Sequence, residues 1–251
     1  MASNHPALAA NRVAVVTGAA SGIGLAACAK FAALGMKVCM ADLGGDALEA
    51  GAAKVRAAAA KPDQVRSFFV DVSKPDDVER LKTSVFDAFG EVAVLMNNAG
   101  TGGGGELLGD PARWRRILDV NLWGVINGVQ TFAPNMIRQG TAAAIVNTGS
   151  KQGITCPPGD TAYNVSKAGV KVMTEALAHE LRNIEGCRVS AHLLIPGFTF
   201  TGMTANSFGG AKKLRGNRFR EGIIWRQKPD ATLHRALGSR AKDRRFQRCR
   251  A

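Results

Sequence analysis

Tyr163 is the single tyrosine of the chain, and Lys167 follows it by four residues. Within a helical pattern that spacing puts both side chains on one face. A free phenol, with a pKa of about 10, is a poor base at neutral pH. A neighbouring ammonium stabilises the phenolate and draws that value down. Ser150 stands thirteen residues before Tyr163, just past an apolar run, where its hydroxyl could hold a substrate oxygen beside the phenol. Hydroxyl, phenol and ammonium together suit proton exchange with an alcohol or carbonyl oxygen. A YxxxK pattern alone is common by chance and equally fits one face of an amphipathic helix, so its meaning depends on the rest of the chain.

A second cluster lies near the start. Thr17-Gly18-Ala19-Ala20-Ser21-Gly22-Ile23-Gly24 joins an apolar β-branched run to a helix-forming stretch. Gly18 permits a tight turn. Gly22 and Gly24 let backbone and helix approach a pyrophosphate without a Cβ in the way, and the helix N-terminus offers free N–H groups to phosphate. The spacing is GxxxGxG rather than GxGxxG, and it lacks the Gly-Lys-Ser/Thr ending of an NTPase loop, which argues against nucleotide hydrolysis. Asp42 lies 24 residues after Gly18, with Leu43 beside it. An acid there accepts hydrogen bonds from ribose hydroxyls and repels a 2′-phosphate. No Arg or Lys lies in the glycine loop or within three residues after Asp42. NAD is therefore expected in preference to NADP. Asp71-Val72 closes a third apolar run, where a carboxylate and an amide could meet an adenine.

The elements that must position these residues alternate. Strands are expected over 12–18, 37–43, 65–72, 92–96, 142–148 and 188–195. Helices are expected over 22–35, 46–60, 75–89 with Ser73 as N-cap, 111–120, 122–139 and 161–184. Six strands alternating with helices predict an α/β chain: a Rossmann-like doubly wound parallel sheet in three α/β/α layers. Composition agrees. The 251 residues are 46 % apolar and 21 % charged, enough for a sizeable core and far from a disordered composition. No run of eighteen apolar residues occurs, so no membrane span is expected, and residues 1–11 do not read as a secretory signal. Five cysteines, an odd number without a CxxC pair, fit a reduced cytoplasmic chain better than a disulfide framework. Four histidines lack metal-ligand spacing, and no metal is expected.

Taken together these residues resemble the short-chain dehydrogenases/reductases. The matching pieces are TGAASGIG at 17–24, NNAG at 97–100, Asn121 in VNLWG, Ser150, YNVSK at 163–167 and Pro196-Gly197, in the family's order across residues 12–203. The resemblance implies reversible oxidation of an alcohol to a carbonyl. Tyr163 would be the general acid/base, and Lys167 would lower its pKa and bond the nicotinamide ribose. Ser150 would orient the substrate oxygen. Asn121 would hold a water linking Lys167 to solvent. Asn98, Ala99 and Gly100 would line the adenosine side and steady the central sheet, and Pro196, Gly197 and Thr199 would close over the nicotinamide. Gly18, Ser21, Gly22, Ile23, Gly24, Asp42, Leu43, Asp71 and Val72 complete the cofactor set. The family also implies a homodimer or homotetramer.

The domain is expected to span 12–210, between an N-terminal tail, 1–11, and an atypical basic segment, 211–251. The net charge of +13 sits in that segment: residues 1–210 hold 19 Lys+Arg against 17 Asp+Glu, and 211–251 hold 14 against 3. Nucleic acid is therefore not an expected partner of the body. Beyond about Lys213 the resemblance stops, and only Ile223-Ile224-Trp225 is strongly apolar. The last strand of the sheet is expected to be missing or altered, through divergence, a sequencing error or a shifted reading frame that the coding DNA would reveal. The pocket walls, 101–109, 152–160 and 198–207, hold no Arg or Lys cluster, which favours a neutral, moderately apolar alcohol or ketone. Two other readings stay open. A non-catalytic nucleotide-binding scaffold or regulator would use the basic tail on a polyanion, and a methyltransferase would use the glycine loop and Asp42 but give Ser150, Tyr163 and Lys167 no task.

Overall fold

The computed structural model describes residues 5–59, 61–102 and 104–197, together with the backbone of 223–225. The elements in order are β1 (Val13–Thr17), α1 (Gly22–Ala33), β2 (Lys37–Asp42), α2 (Asp46–Ala58), β3 (Val65–Phe69), α3 (Pro75–Phe89), β4 (Val94–Asn97), α4 (Pro111–Leu118), α5 (Gly124–Arg138), β5 (Ala143–Thr148), α6 (Gln152–Thr155), α7 (Thr161–Asn183), β6 (Val189–Pro196) and β7 (Ile223–Trp225). The sheet order is β3-β2-β1-β4-β5-β6-β7, parallel up to β6. That is the doubly wound order predicted from the alternation. Strand direction reverses its winding between β1 and β4, and this opens a crevice at their carboxyl ends.

β1, β4 and β5 are buried along their whole length, as a parallel sheet covered on both faces requires. One apolar layer packs the sheet against α1 and α2 through Val16, Met40, Phe31 and Val55. The other packs it against α3, α5 and α7 through Val15, Leu95, Val85, Phe132 and Leu181. At the opposite end of the sheet Arg12 donates to the Glu91 carboxylate at 2.8 Å and to the Ala142 carbonyl at 3.0 Å, tying the starts of three strands together. The chain ahead of β1 is packed as well: Ala7 is fully buried in the first layer.

Three details depart from the sequence pattern. The turn before α3 is not capped by Ser73. Asp71 Oδ1 instead accepts from both the N–H and the O–H of Ser73, at 3.0 and 2.6 Å, and Lys74 takes the cap position. Between α4 and α5 the chain does not break; a wide π turn over Asp119–Trp123 joins them. The edge beside β6 carries a last strand in altered form: three residues, antiparallel, pairing Ile223, Ile224 and Trp225 with Pro196, Ile195 and Leu194. They form the one strongly apolar stretch of the basic segment, too short to show a period yet enough to pair backbone with backbone. The expected lid and Thr199 lie outside the described residues, as does the rest of the basic segment.

A buried polar ladder crosses the second layer. Asn97 Nδ2 donates to Asn147 Oδ1 at 2.9 Å, Asn147 Nδ2 donates to Thr174 Oγ1 at 3.0 Å, and the Thr174 hydroxyl donates to the Val170 carbonyl at 2.6 Å. It joins β4 to β5 and β5 to α7. Thr174→Val keeps the shape but leaves the Asn147 amide without an acceptor, at a cost of about 1–3 kcal/mol. Thr174→Ser keeps the hydroxyl. Urea denaturation should therefore show a larger loss for Val than for Ser; equal losses would show that the hydroxyl contributes nothing.

Candidate active site

The glycine loop follows β1 into the crevice. Gly18 has φ +65° and Gly22 φ +55°, the left-handed region that glycine enters without strain. A Cβ on Gly18 would stand 2.7 Å from the Ala99 Cα, and one on Gly24 would drive into the Gly18 carbonyl. Ser21, exposed and extended, makes no side-chain cap to α1, and the first turn of that helix carries no acid. Its N–H groups are thus left for an outside acceptor, beside half-buried Gly22 and Ile23. A cradle that a Cβ would fill, backed by an uncapped helix N-terminus, fits the pyrophosphate of a dinucleotide.

Asp42 ends β2 and reaches back to this loop. Its Oδ2 accepts from the Ala20 N–H at 2.8 Å and its Oδ1 from the Leu43 N–H at 2.7 Å. Each oxygen retains a lone pair for a ribose hydroxyl. Leu43 is 62 % exposed at the rim. Asp71 is more committed: its N–H donates to Asp77, its Oδ1 is taken by Ser73, and its Oδ2 lies 3.7 Å from the Lys74 ammonium. Val72 is buried, and its carbonyl accepts from Asn127 at 2.8 Å.

Across the crevice the end of β4 is clamped onto β1. The Thr17 hydroxyl accepts from the N–H groups of Asn98 and Ala99 at 3.0 and 3.1 Å, and Asn98 Nδ2 donates to the carbonyls of Thr17 and Gly18. Asn98 Oδ1 accepts from Thr148 at 3.3 Å. Asn98, Ala99 and half-buried Gly100 thus shape the crevice floor. Thr17 carries one sequence signal for this role, a polar type at the end of an otherwise apolar strand.

Ser150, Tyr163 and Lys167 meet at the same strand ends. Ser150 follows β5, accepts from the Gln152 N–H at 3.2 Å and hydrogen-bonds the Tyr163 phenol. Lys167 is buried, and its ammonium lies 5.8 Å from the centre of the Tyr163 ring and donates to the Thr148 carbonyl at 2.9 Å. Asn121, in the π turn, is wholly buried. Its Oδ1 accepts from the Thr101 N–H at 2.7 Å, and its Nδ2 donates to the Thr101 carbonyl at 2.8 Å and the Ser166 hydroxyl at 3.3 Å. The amide donors are therefore filled, and a single Oδ1 lone pair is left for a water. Pro196 ends β6 and Gly197 is exposed beyond it.

The electrostatics differ from the expectation that Lys167 draws the phenol down. Burial is the largest influence on Tyr163 and pushes its pKa up; the Ser150 hydrogen bond lowers it, and the Asp160 carboxylate raises it again. Burial also brings the Lys167 ammonium down to about 8. Asp160, the residue before α7, has its own pKa raised by burial, partly offset by a hydrogen bond from the Gly104 backbone and by Arg113. Neither Asp160 nor the Thr148 carbonyl was singled out in the sequence. A carbonyl carries no residue signature, and an acid before a helix reads as an ordinary cap.

Among the described residues no cluster of His, Cys, Asp and Glu could hold a metal ion, and no helix is long and apolar enough to cross a membrane. Comparison with known proteins extends these observations. The family model for short chain dehydrogenase matches residues 12–211. The 1-deoxy-11-beta-hydroxypentalenate dehydrogenase of Streptomyces exfoliatus is 38 % identical over 221 residues, covering 85 % of this chain and 78 % of that one. A short chain dehydrogenase/reductase from Burkholderia phymatum, solved in complex with NAD, superposes with a TM-score of 0.75 at 38 % identity, over 91 % of this chain and 79 % of that one. A metagenomic short-chain oxidoreductase in complex with NADP gives 0.69 at 33 %, over 76 % and 84 %. The chain belongs to the short-chain dehydrogenase/reductase family and is an NAD(P)-dependent oxidoreductase that interconverts alcohol and carbonyl groups.

Proposed function

We propose that the protein oxidises a small alcohol reversibly to its carbonyl with NAD, and that Tyr163 exchanges the proton. The observation that carries this reading is the meeting of the Ser150 hydroxyl, the Tyr163 phenol and the Lys167 ammonium at the strand ends that also hold the glycine cradle. A bound nicotinamide would accept or return the hydride and, when oxidised, add positive charge nearby. The residues of the chain do the rest. The Ser150 Oγ is oriented by the Gln152 N–H and holds the substrate oxygen beside the phenol. Tyr163 takes the alcohol proton in one direction and returns it in the other. Lys167 has three donors, one of them on Thr148, and the others suit a ribose hydroxyl and a water. Asn121 holds the Thr101 backbone against the helix that carries the phenol.

The preference for NAD over NADP rests on Asp42. A 2′-phosphate placed against a carboxylate already held toward the glycine loop meets like-charge repulsion. Wild-type enzyme should show a kcat/KM with NAD more than about tenfold that with NADP, roughly 1.4 kcal/mol. Asp42→Asn, which keeps an acceptor for the Ala20 N–H, should narrow the ratio. Equal use of both cofactors by the wild type would remove Asp42 as the selector.

Tyr163→Phe should lower turnover by about 10²–10⁴-fold while leaving NAD affinity, read by calorimetry, within a few-fold. Retained turnover in that variant would end the assignment of the phenol as acid/base.

The buried lysine also predicts a pH signature in stability. Its pKa falls from 10.5 to about 8 on folding, so between those values the unfolded chain binds more protons and stability rises with pH. Below about 8 both states are charged and the full cost of burial is present. Lys167→Met should be relatively more stable than wild type at pH 7, and the gap should shrink toward pH 10. Urea unfolding at both values measures it; a gap that stays constant would show that the ammonium is not desolvated.

A further inference from the structure

We propose that Asp77 and Asn127, carried by two different helices, are positioning residues that fix the Asp71–Val72 segment so that it reads the edge of an adenine. This rests on the dinucleotide reading above and adds to it two residues that act through the backbone rather than by contact. The segment begins where the sheet ends. Just past β3 the Val70 N–H donates to the Asp42 carbonyl at 2.8 Å, and beyond that bond Asp71 and Val72 leave the ladder. Their backbone groups then need partners from elsewhere. The Asp71 N–H donates to Asp77 Oδ2 at 3.0 Å, and the Asp71 carbonyl accepts from the Lys74 N–H at 3.0 Å. The Val72 carbonyl accepts from Asn127 Nδ2 at 2.8 Å. Of these four groups the Val72 N–H is the one left without an acceptor among the described residues.

Both side chains are unusual for their places. Asp77, in the first turn of α3, and Asn127, in α5, are both buried, and polar side chains are seldom buried without a partner. The other Asp77 oxygen is held by Arg80, so its carboxylate is fixed from both sides. Asn127 lies three residues beyond Gly124, on the same helix face. Gly124 lets that face close onto Val72, since a Cβ there would stand 2.6 Å from the Val72 side chain. The Asp71 carboxylate is anchored as well. Its Oδ1 is taken by Ser73, while its Oδ2 lies 3.7 Å from the exposed Lys74 ammonium and keeps lone pairs. What the segment has left to offer is one N–H donor and one carboxylate acceptor on adjacent residues. The Watson–Crick edge of adenine is complementary, an amino donor beside a ring-nitrogen acceptor. Hypoxanthine inverts both, with a carbonyl oxygen beside a ring N–H.

The test is calorimetry of the whole protein with NAD and with nicotinamide hypoxanthine dinucleotide, each also in its 2′-phosphorylated form, for wild type, Asp77→Ala, Asp77→Asn and Asn127→Leu. Wild type should bind the adenine form at least about tenfold more tightly than the hypoxanthine form. Asp77→Ala and Asn127→Leu should each bring that ratio below about threefold. Asp77→Asn, which keeps an oxygen for the Asp71 N–H, should restore it. A ratio unchanged in both variants, even where both ligands bind more weakly, would show that the two residues serve only the fold and overturns the positioning role. Equal binding of the two bases by wild type overturns it too and leaves the dinucleotide reading intact. Binding of none of the four ligands defeats that reading and the positioning role with it. Amide exchange of the wild type needs no variant: the Asp71 N–H should be slow with and without NAD, and the Val72 N–H should become slow only with it. A Val72 amide that exchanges at one rate in both states also overturns the proposal.

Discussion

The burial of one ammonium sets the geometry of this site. Lys167 lies in α7, a residue only 3 % exposed, and among the described residues its ammonium's partner is the carbonyl of Thr148 at 2.9 Å. Withdrawing that charge from water costs several kcal/mol in general, so the position is held by the packing of α7 on β5 and β6 and not by the lysine's own preference. Thr148 is the last residue of β5 and Ser150 is two residues on. One contact therefore places a helix that carries the phenol against a strand end that carries the hydroxyl. Gly153 makes the approach possible: a Cβ there would stand 2.6 Å from the Lys167 carbonyl carbon.

The seat of α7 is reinforced two turns deeper. The ladder from Asn97 through Asn147 to Thr174 gives each buried amide an acceptor and couples two strands to the helix seven residues below Lys167. On the crevice side Thr17 and Asn98 bind β1 to the end of β4. The cradle and the phenol thus stand on one sheet whose strand ends are cross-linked by side chains, where parallel strands alone would fix only their backbones. A site assembled from three loops gains its precision in this way from a scaffold that moves as a unit.

Much of this was legible in the residues because it depends on period and type. Apolar β-branched runs alternating with helical stretches pointed to a doubly wound parallel sheet, and glycines at 18, 22 and 24 had to mark a turn and a close approach. The pairing of Tyr163 with Lys167 follows from helical spacing. What escaped has physical reasons. Asp71 and Ser73 satisfy one another locally, and a chain of alternatives for each hydroxyl cannot be ranked without coordinates. Three residues, Ile223 to Trp225, suffice to pair with β6 but are too short to display a period. The direction of the Tyr163 shift was misjudged because spacing reports proximity and says nothing of how much water has been removed.

That last point changes how the pair should be understood. Burial acts on both members toward neutrality, raising the phenol and lowering the ammonium, so the fold by itself favours a protonated tyrosine. Asp160 pushes the phenol the same way, and only the Ser150 hydroxyl pushes back. In the role proposed for Tyr163, the phenol of the protein alone is therefore held as an acid, the state that would protonate a carbonyl oxygen. Acting as a base requires positive charge brought in with the ligands.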